Sequence, residues 1–304
     1  MQLNIKRKYM YPNNIAVIIV LYNPQQNHLN QVKEISACYY GAIVDNSENP
    51  SFQEDMVNNM IYIPLHANMG IAKAQNIGIK RCLDNNDIDT VVFLDQDSKI
   101  ARNYPTNISF EFQSLKERYP NLGILGPTAI DELSQKSYKA TLHNEHYLAS
   151  DLYIRPKIIS SGACTSREIL ESVGLNDESL FIDFVDSEWC WRAGSKGYIC
   201  GMSPTIKITH HIGKKTINFG LFSDIISSPN RYYFQFRNFL WLLRINYVPI
   251  KWKIKEGLKY IFRLFYVPLF THEGSTSFKY IWKGISAGIR HQKRIIPQLM
   301  TGNN

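Results

Sequence analysis

The 304-residue chain is 44% hydrophobic and 20% charged, enough apolar content for one large domain, or one domain with an appendage, and unlike a disordered or fibrous chain. Its five cysteines, Cys38, Cys82, Cys164, Cys190 and Cys200, are scattered and form no C-x-x-C pair, which argues against a disulfide framework or a zinc site and fits a reducing cytoplasm. The formal charge of +8 is uneven: from Arg231 onward 13 Lys and Arg face 2 acids, so the tail is strongly basic and residues 1 to 230 slightly acidic.

Lys6, Arg7 and Lys8 before AVIIVLY superficially resemble a signal peptide, but the apolar run is short and enters Tyr22-Asn23-Pro24 without a small-residue cleavage site. It reads as a first core strand, Ile15–Leu21, followed by a helix over 27 to 37. A second strand at 41 to 44 ends in Asp45-Asn46-Ser47, and a third covers Met60–Pro64. His66-Ala67-Asn68-Met69-Gly70 then leads into a helix over 71 to 83, whose first amides would suit a diphosphate; Gly or Asn there would equally serve as an ordinary cap. A fourth strand at 90 to 94 runs straight into Asp95 and Asp97. Strands alternating with helices predict a mainly parallel sheet covered on both faces, with the acidic sites at Asp45 and Asp95/Asp97 opening on one edge.

Two carboxylates after a buried strand suit a hard divalent cation that takes its remaining ligands from water and phosphate, although an isolated D-x-D also occurs as a plain acidic turn. There is neither a G-x-G-x-x-G fingerprint nor a P-loop, which removes the usual markers of nicotinamide cofactors and ATP hydrolysis. In FIDFVDSEWCWRAGSKGY, residues 181 to 198, a helix over 187 to 196 would leave Asp186 either as its cap or, beside Asp183 and Glu188, as a general base facing a cleft. His210-His211 follows the strand-like TIKIT and offers a further metal or diphosphate ligand.

The tail carries 16 of the 38 aromatic residues, interleaved with bases in RYYFQFRNFLWLLRINY and WKIKEGLKYIFRLFYVPLF. That pattern suits helices lying on an anionic lipid surface, or packed on the domain with snorkelling basic stems. Arg263 interrupts its most apolar part and no stretch reaches the roughly 18 to 20 apolar residues of a membrane span, so the expected mode is peripheral. No nucleic-acid motif accompanies the basic surface, so nucleic acid is not an expected partner.

IVDNS, NMGIAKAQNIG, FLDQDS, SSGACTS at 160 to 166, FIDFVDSEWCWRAGSKGY and HHIG, in that order, resemble glycosyltransferase family 2, in its bacterial rhamnosyltransferase branch; RYYFQFRN is similar to the Arg-Asn segment that follows that family's catalytic domain. The resemblance implies a GT-A-like α/β fold with a mixed, mainly parallel sheet flanked by helices and a C-terminal basic aromatic helical appendage. It divides the chain into a catalytic domain at 1–225, with a nucleotide-sugar half at about 12–100 and an acceptor half at about 101–225, and a membrane-associating region at 226–304. It further implies that Asp186 is the catalytic base and that Asp45, Asn68, Gly70, Asn76 and Asp95 bind the nucleotide sugar. Ser161, Gly162, Glu188 and Trp189 fall on the acceptor side, and Asp95, Asp97 and His210 would hold Mg²⁺ or Mn²⁺. Many relatives have two acids where this chain has Val185-Asp186, so Asp186 stands alone as base, with Asp183 the fallback. The implied activity is inverting transfer of L-rhamnose from dTDP-L-rhamnose to a lipid-linked glycan, on the inner face of a bacterial membrane. A UDP-hexose or UDP-galactofuranose donor, a glycoside hydrolase and a non-catalytic assembly subunit remain alternatives.

Overall fold

The computed structural model describes residues 14–131, 146–149, 151–210, 216–218, 223–290 and 294–299. The chain opens with β1 (Ile15–Leu21), α1 (Gln26–Ser36), β2 (Tyr40–Asp45), the short β3 (Met56–Val57), β4 (Met60–Pro64), α2 (Ile71–Leu83) and β5 (Thr90–Asp95). Every residue of β1 is buried, as expected of a continuous apolar strand covered on both faces. β1 pairs in parallel with β2 on one side and with β5 on the other, and β2 continues in parallel to β4.

The second half adds α3 (Tyr104–Arg118), β6 (Leu122–Asp131), β7 (His146–Ala149), β8 (Leu152–Arg155), β9 (Cys164–Ser166), α4 (Arg167–Val173), a 3-10 turn at Glu178–Leu180, α5 (Val185–Ser195) and β10 (Ile199–His210). β9 runs antiparallel between β5 and β6, while β6 and β10 are parallel, so a short strand splices the two halves into one 10-stranded sheet ordered β3-β4-β2-β1-β5-β9-β6-β10-β8-β7. β11 (Thr216–Asn218) and β12 (Ser223–Ile225) form a separate hairpin. All five cysteines are free.

Three helices follow: α6 (Pro229–Leu243), α7 (Ile250–Phe270) and α8 (Gly274–Ile289). They share a second core of Tyr232, Phe236, Phe239, Tyr260, Tyr266, Val267 and Ile281, in which the Phe239 and Tyr260 rings stack 4.5 Å apart. Arg263 is buried in this bundle and donates to Gln235 Oε1 at 3.2 Å. The sequence placed it as a charge interrupting a lipid-facing surface; helical phase turns it inward instead. After α8 the chain returns to the sheet domain, where the carbonyls of Pro297 and Ile295 accept from Leu175 N at 3.0 Å and Glu178 N at 2.8 Å. No described helix is long and apolar enough to cross a membrane.

Candidate active site

The strand order reverses at β1: β2 and β4 lie to one side and β5 to the other, the kind of switch point at which open α/β sheets bind ligands beyond the strand ends. The register places Leu21 opposite Asp45 and Val20 opposite Asp95. A cleft of about 1200 Å³ opens there, and Tyr22, Asn46, Asn68, Gly70, Asp95, Gln96, Asp97, Lys99, Ser160, Asp183, Asp186 and Arg231 are among its walls.

The acidic turn is built from its own backbone. Asp95 N donates to Ser98 Oγ at 3.1 Å, Ser98 N donates to Asp95 O at 3.1 Å, and Ser98 Oγ lies 2.9 Å from Ser161 Oγ. The Gln96 side chain accepts from Tyr22 N at 2.8 Å and donates to Tyr22 O at 3.2 Å, pinning the turn to the end of β1. Burial pushes the Asp95 carboxyl up to about 7, helped by the negative charges of Asp186 and Asp97 and opposed by a hydrogen bond from Ser161. Asp95 thus feels both of its acidic neighbours across one cleft.

The structure starts α5 at Val185, two residues before the position expected from sequence, so Asp186 lies inside the first turn and is not its cap. A carboxylate there faces the positive end of the helix dipole. Burial raises the Asp186 carboxyl above its ordinary value, while hydrogen bonds from the Ser160 amide and hydroxyl and the more distant charge of Lys157 pull it back. Asp183 differs in kind. Arg231 grips it with Nε at 3.1 and 3.0 Å from its two oxygens and Nη2 at 2.8 Å from Oδ1, a fork that holds the guanidinium above its ordinary pKa.

Asp95 and Asp97 fit a divalent cation chemically. Both are hard oxygen donors, and the neighbouring charges that resist Asp95 ionisation are the environment a cation would relieve. Among the described residues no three His, Cys, Asp or Glu side chains gather as a metal cluster. His210 ends β10, but its side chain, like His211 and Gly213, lies outside the described residues.

Asn68 and Gly70 line the cleft. Asn68 Oδ1 accepts from Asn46 Nδ2 at 3.0 Å and from Gly70 N at 3.1 Å. Gly70 has φ of 83°, and a Cβ there would come within 2.6 Å of the Phe181 ring and carbonyl, so glycine is required both by conformation and by contact.

Several of the residues expected to bind ligands make structural contacts within the fold. Asp45 is wholly buried below the cleft wall, with Oδ1 accepting from Ser47 N at 3.1 Å and Oδ2 from Ser51 N at 2.8 Å and Tyr62 Oη at 2.7 Å. Burial resists its ionisation, but these bonds prevail and hold its carboxyl below the usual range. These bonds also fix the loop that follows β2. Asn76, expected with the nucleotide, clamps the 176–178 segment, donating to Asn176 O and Glu178 Oε1 at 3.0 Å and accepting from Asn176 N at 2.9 Å. Ser161, placed with the acceptor, is buried behind Asp95. Gly162, also buried, has φ of 78° and donates to Phe93 O at 2.7 Å, tying the loop to β5.

Glu188 and Trp189, expected on the acceptor side, are both buried. Glu188 is fully buried in an ion pair with Arg192 at 2.9 Å, joined by Tyr247 and Arg294. Trp189 is buried in the core and donates to Gly174 O at 2.9 Å. In exchange the structure brings in Asn46, Ser160 and Arg231. All three sat inside quoted motifs, Arg231 as the first residue of RYYFQFRN, but its partner Asp183 lies 48 residues away and no local spacing links the two.

No family model matches the chain. It is 34% identical over 295 residues to the dTDP-rhamnosyl transferase RfbF of Shigella flexneri, covering 91% of this chain and 96% of that protein. It is also 24% identical over 207 residues to the low-salt glycan biosynthesis hexosyltransferase Agl10 of Haloferax volcanii, covering 66% and 67%. Among solved structures, S. aureus TarS 1–349 matches 90% of this chain and 80% of its own with a TM-score of 0.52 at 14% identity; against the longer TarS the chain spans 49% of its length at 0.51. The TarS match concerns the fold alone, whereas the identity and coverage with the Shigella protein show kinship: the chain belongs to the GT-A glycosyltransferases of family 2, among the bacterial rhamnosyltransferases.

Proposed function

We propose that the chain transfers L-rhamnose from dTDP-L-rhamnose, in a metal-dependent reaction that inverts the anomeric carbon, to a hydroxyl of a lipid-linked glycan during synthesis of a bacterial surface polysaccharide. The observation that carries this reading is the meeting of Asp95, Asp97 and Asp186 in one cleft at the strand switch point. Asp186 takes the proton of the acceptor hydroxyl as the new bond to the anomeric carbon forms, and the bond from that carbon to phosphate breaks with its electrons on the departing diphosphate. Asp95 and Asp97 would hold Mg²⁺ or Mn²⁺, which when bound neutralises the charge on that diphosphate. Asn46, Asn68 and the start of α2 offer polar groups for the nucleotide side. The choice of donor rests on the name of the Shigella relative. Because the Haloferax relative is a hexosyltransferase, a UDP-hexose is the rival donor.

A thermal-shift screen of nucleotide sugars with and without Mn²⁺ tests donor and metal together. Stabilisation by dTDP-L-rhamnose that grows with Mn²⁺ is expected; stabilisation by UDP-hexoses alone would replace the donor, and metal-independent stabilisation would remove the cation.

The acceptor's lipid carrier suits the surface of α7. Ile250, Ile254, Leu258, Ile261, Phe265 and Leu269 recur every three or four residues, all at least 60% exposed. Phe278 and Trp282 on α8 are exposed too, as are Lys251, Lys255, Lys279 and Lys283. An apolar stripe flanked by lysines would repel a second copy carrying the same charges and suits the anionic cytoplasmic leaflet, on which the protein would lie peripherally.

A further inference from the structure

The segment that delivers Asp186 follows an unfavourable path. Phe181, Asp183 and Phe184 have φ of 65°, 64° and 65°, three positive values at non-glycine residues within four positions, which only a surrounding structure can enforce. The enforcement comes from α6. Asn238, wholly buried, points its amide nitrogen at three loop carbonyls: Leu180 O at 2.9 Å, Ile182 O at 2.7 Å and Asp183 O at 3.2 Å. Two amide hydrogens therefore serve three acceptors, so at least one is shared.

The amide orientation is itself determined. Arg237 Nε and Nη2 donate to Asn238 Oδ1 at 3.0 and 2.8 Å, so the oxygen faces the guanidinium and the nitrogen faces the loop. The same Arg237 Nη2 donates to Ser179 O at 2.9 Å and Leu180 O at 3.0 Å. Phe234, one turn earlier on α6, stacks on Phe181 at 4.6 Å, and Trp241, one turn later, receives the guanidinium on its ring at 4.3 Å. One face of α6 thus grips the loop while Tyr232, Phe236 and Phe239 on the other pack into the helical core.

We infer that Asn238, oriented by Arg237, is a positioning residue for the transfer reaction: it holds the carbonyls of the 180–183 segment in the path that places Asp186 at the cleft. The helical appendage is therefore part of the catalytic apparatus as well as a docking surface. This inference rests on Asp186 being the base.

The test uses the full-length Asn238→Ala protein, read by hydrogen exchange and by dTDP release from dTDP-L-rhamnose with Mn²⁺, in which water takes the sugar in place of the glycan hydroxyl. Amides of 180–186 are expected to exchange about tenfold faster, with β1 and β5 unchanged. Turnover should fall about 100-fold per folded molecule while the donor KM stays within about threefold, a split that mere loss of folded protein does not produce. Arg237→Lys carries the same measurements where Asn238→Ala fails to fold. Unchanged exchange in the loop, or faster exchange with unchanged kcat, would overturn the inference. If the wild-type chain releases no nucleotide from any donor, the proposed function fails, and the grip on the loop stands or falls on exchange alone.

Discussion

Arg231 grips both carboxylate oxygens of Asp183 at 2.8 to 3.1 Å, and that pairing separates two acids that lie three positions apart on the same cleft wall. The oxygens of Asp183 are occupied by the guanidinium, whereas Asp186 is bonded to neutral Ser160 and burial holds its carboxyl above the ordinary value. Asp186→Asn should lower kcat by about 10² to 10⁴-fold and leave donor affinity within a few-fold, checked by steady-state turnover and calorimetry. Asp183→Asn should cost less in kcat and chiefly loosen Arg231. The reverse ranking would transfer the base role to Asp183.

Asp95 makes stability depend on pH with a definite sign. Its folded pKa, about 7, lies above the ordinary carboxyl value, so between those values the folded state holds the extra proton and stability falls as pH rises. Asp45, with its carboxyl held low, acts oppositely and loses its contribution as pH falls. Comparing metal-free wild type with Asp95→Asn isolates the first effect. Denaturation midpoints should show the variant gaining on wild type from about pH 4 to pH 7, and Mn²⁺ should reduce that gain. A difference independent of pH would mean that Asp95 does not sense its acidic neighbours.

Glu188→Ala should behave as a core defect. The change strands Arg192 beside a void and removes a partner of Arg294 and Tyr247, costing about 3 to 5 kcal/mol of stability by analogy with broken buried pairs. Donor KM per folded molecule should be unchanged. A raised acceptor KM with normal stability would restore the acceptor role implied by the family resemblance.

Membrane association is best tested on the α7 stripe. Leu258→Glu with Phe265→Glu places charges at two positions that are 66% and 63% exposed, so the fold should survive while co-sedimentation with anionic liposomes drops. Equal binding by the double variant would end the assignment of this face. Truncation near residue 230 is a poor substitute, because it also removes the contacts of Arg231, Arg237 and Asn238 with the 179–183 segment.

The core pattern was legible because burial leaves a local record. β1 and β5 read as apolar runs, α2 begins and ends where the sequence places it, and a strand ending in Asp95-Gln96-Asp97 already pointed to the sheet edge where ligands gather. The splice strand β9, only three residues long, left no periodicity strong enough to identify it.

The fold family and the order of its acids are written along the chain. Which acids face the cleft is fixed by folding. Asp186 and Glu188 stand two positions apart on α5, and about 100° per residue turns them to opposite sides: one meets Ser160 and the cleft, the other the interior and Arg294, 106 residues away. Asp45 follows its strand as Asp95 does, yet Tyr62 of the neighbouring strand and the amides of its own loop enclose it. Motif spacing records neither enclosure nor helical phase against a distant partner, because both depend on chain segments brought together only by folding.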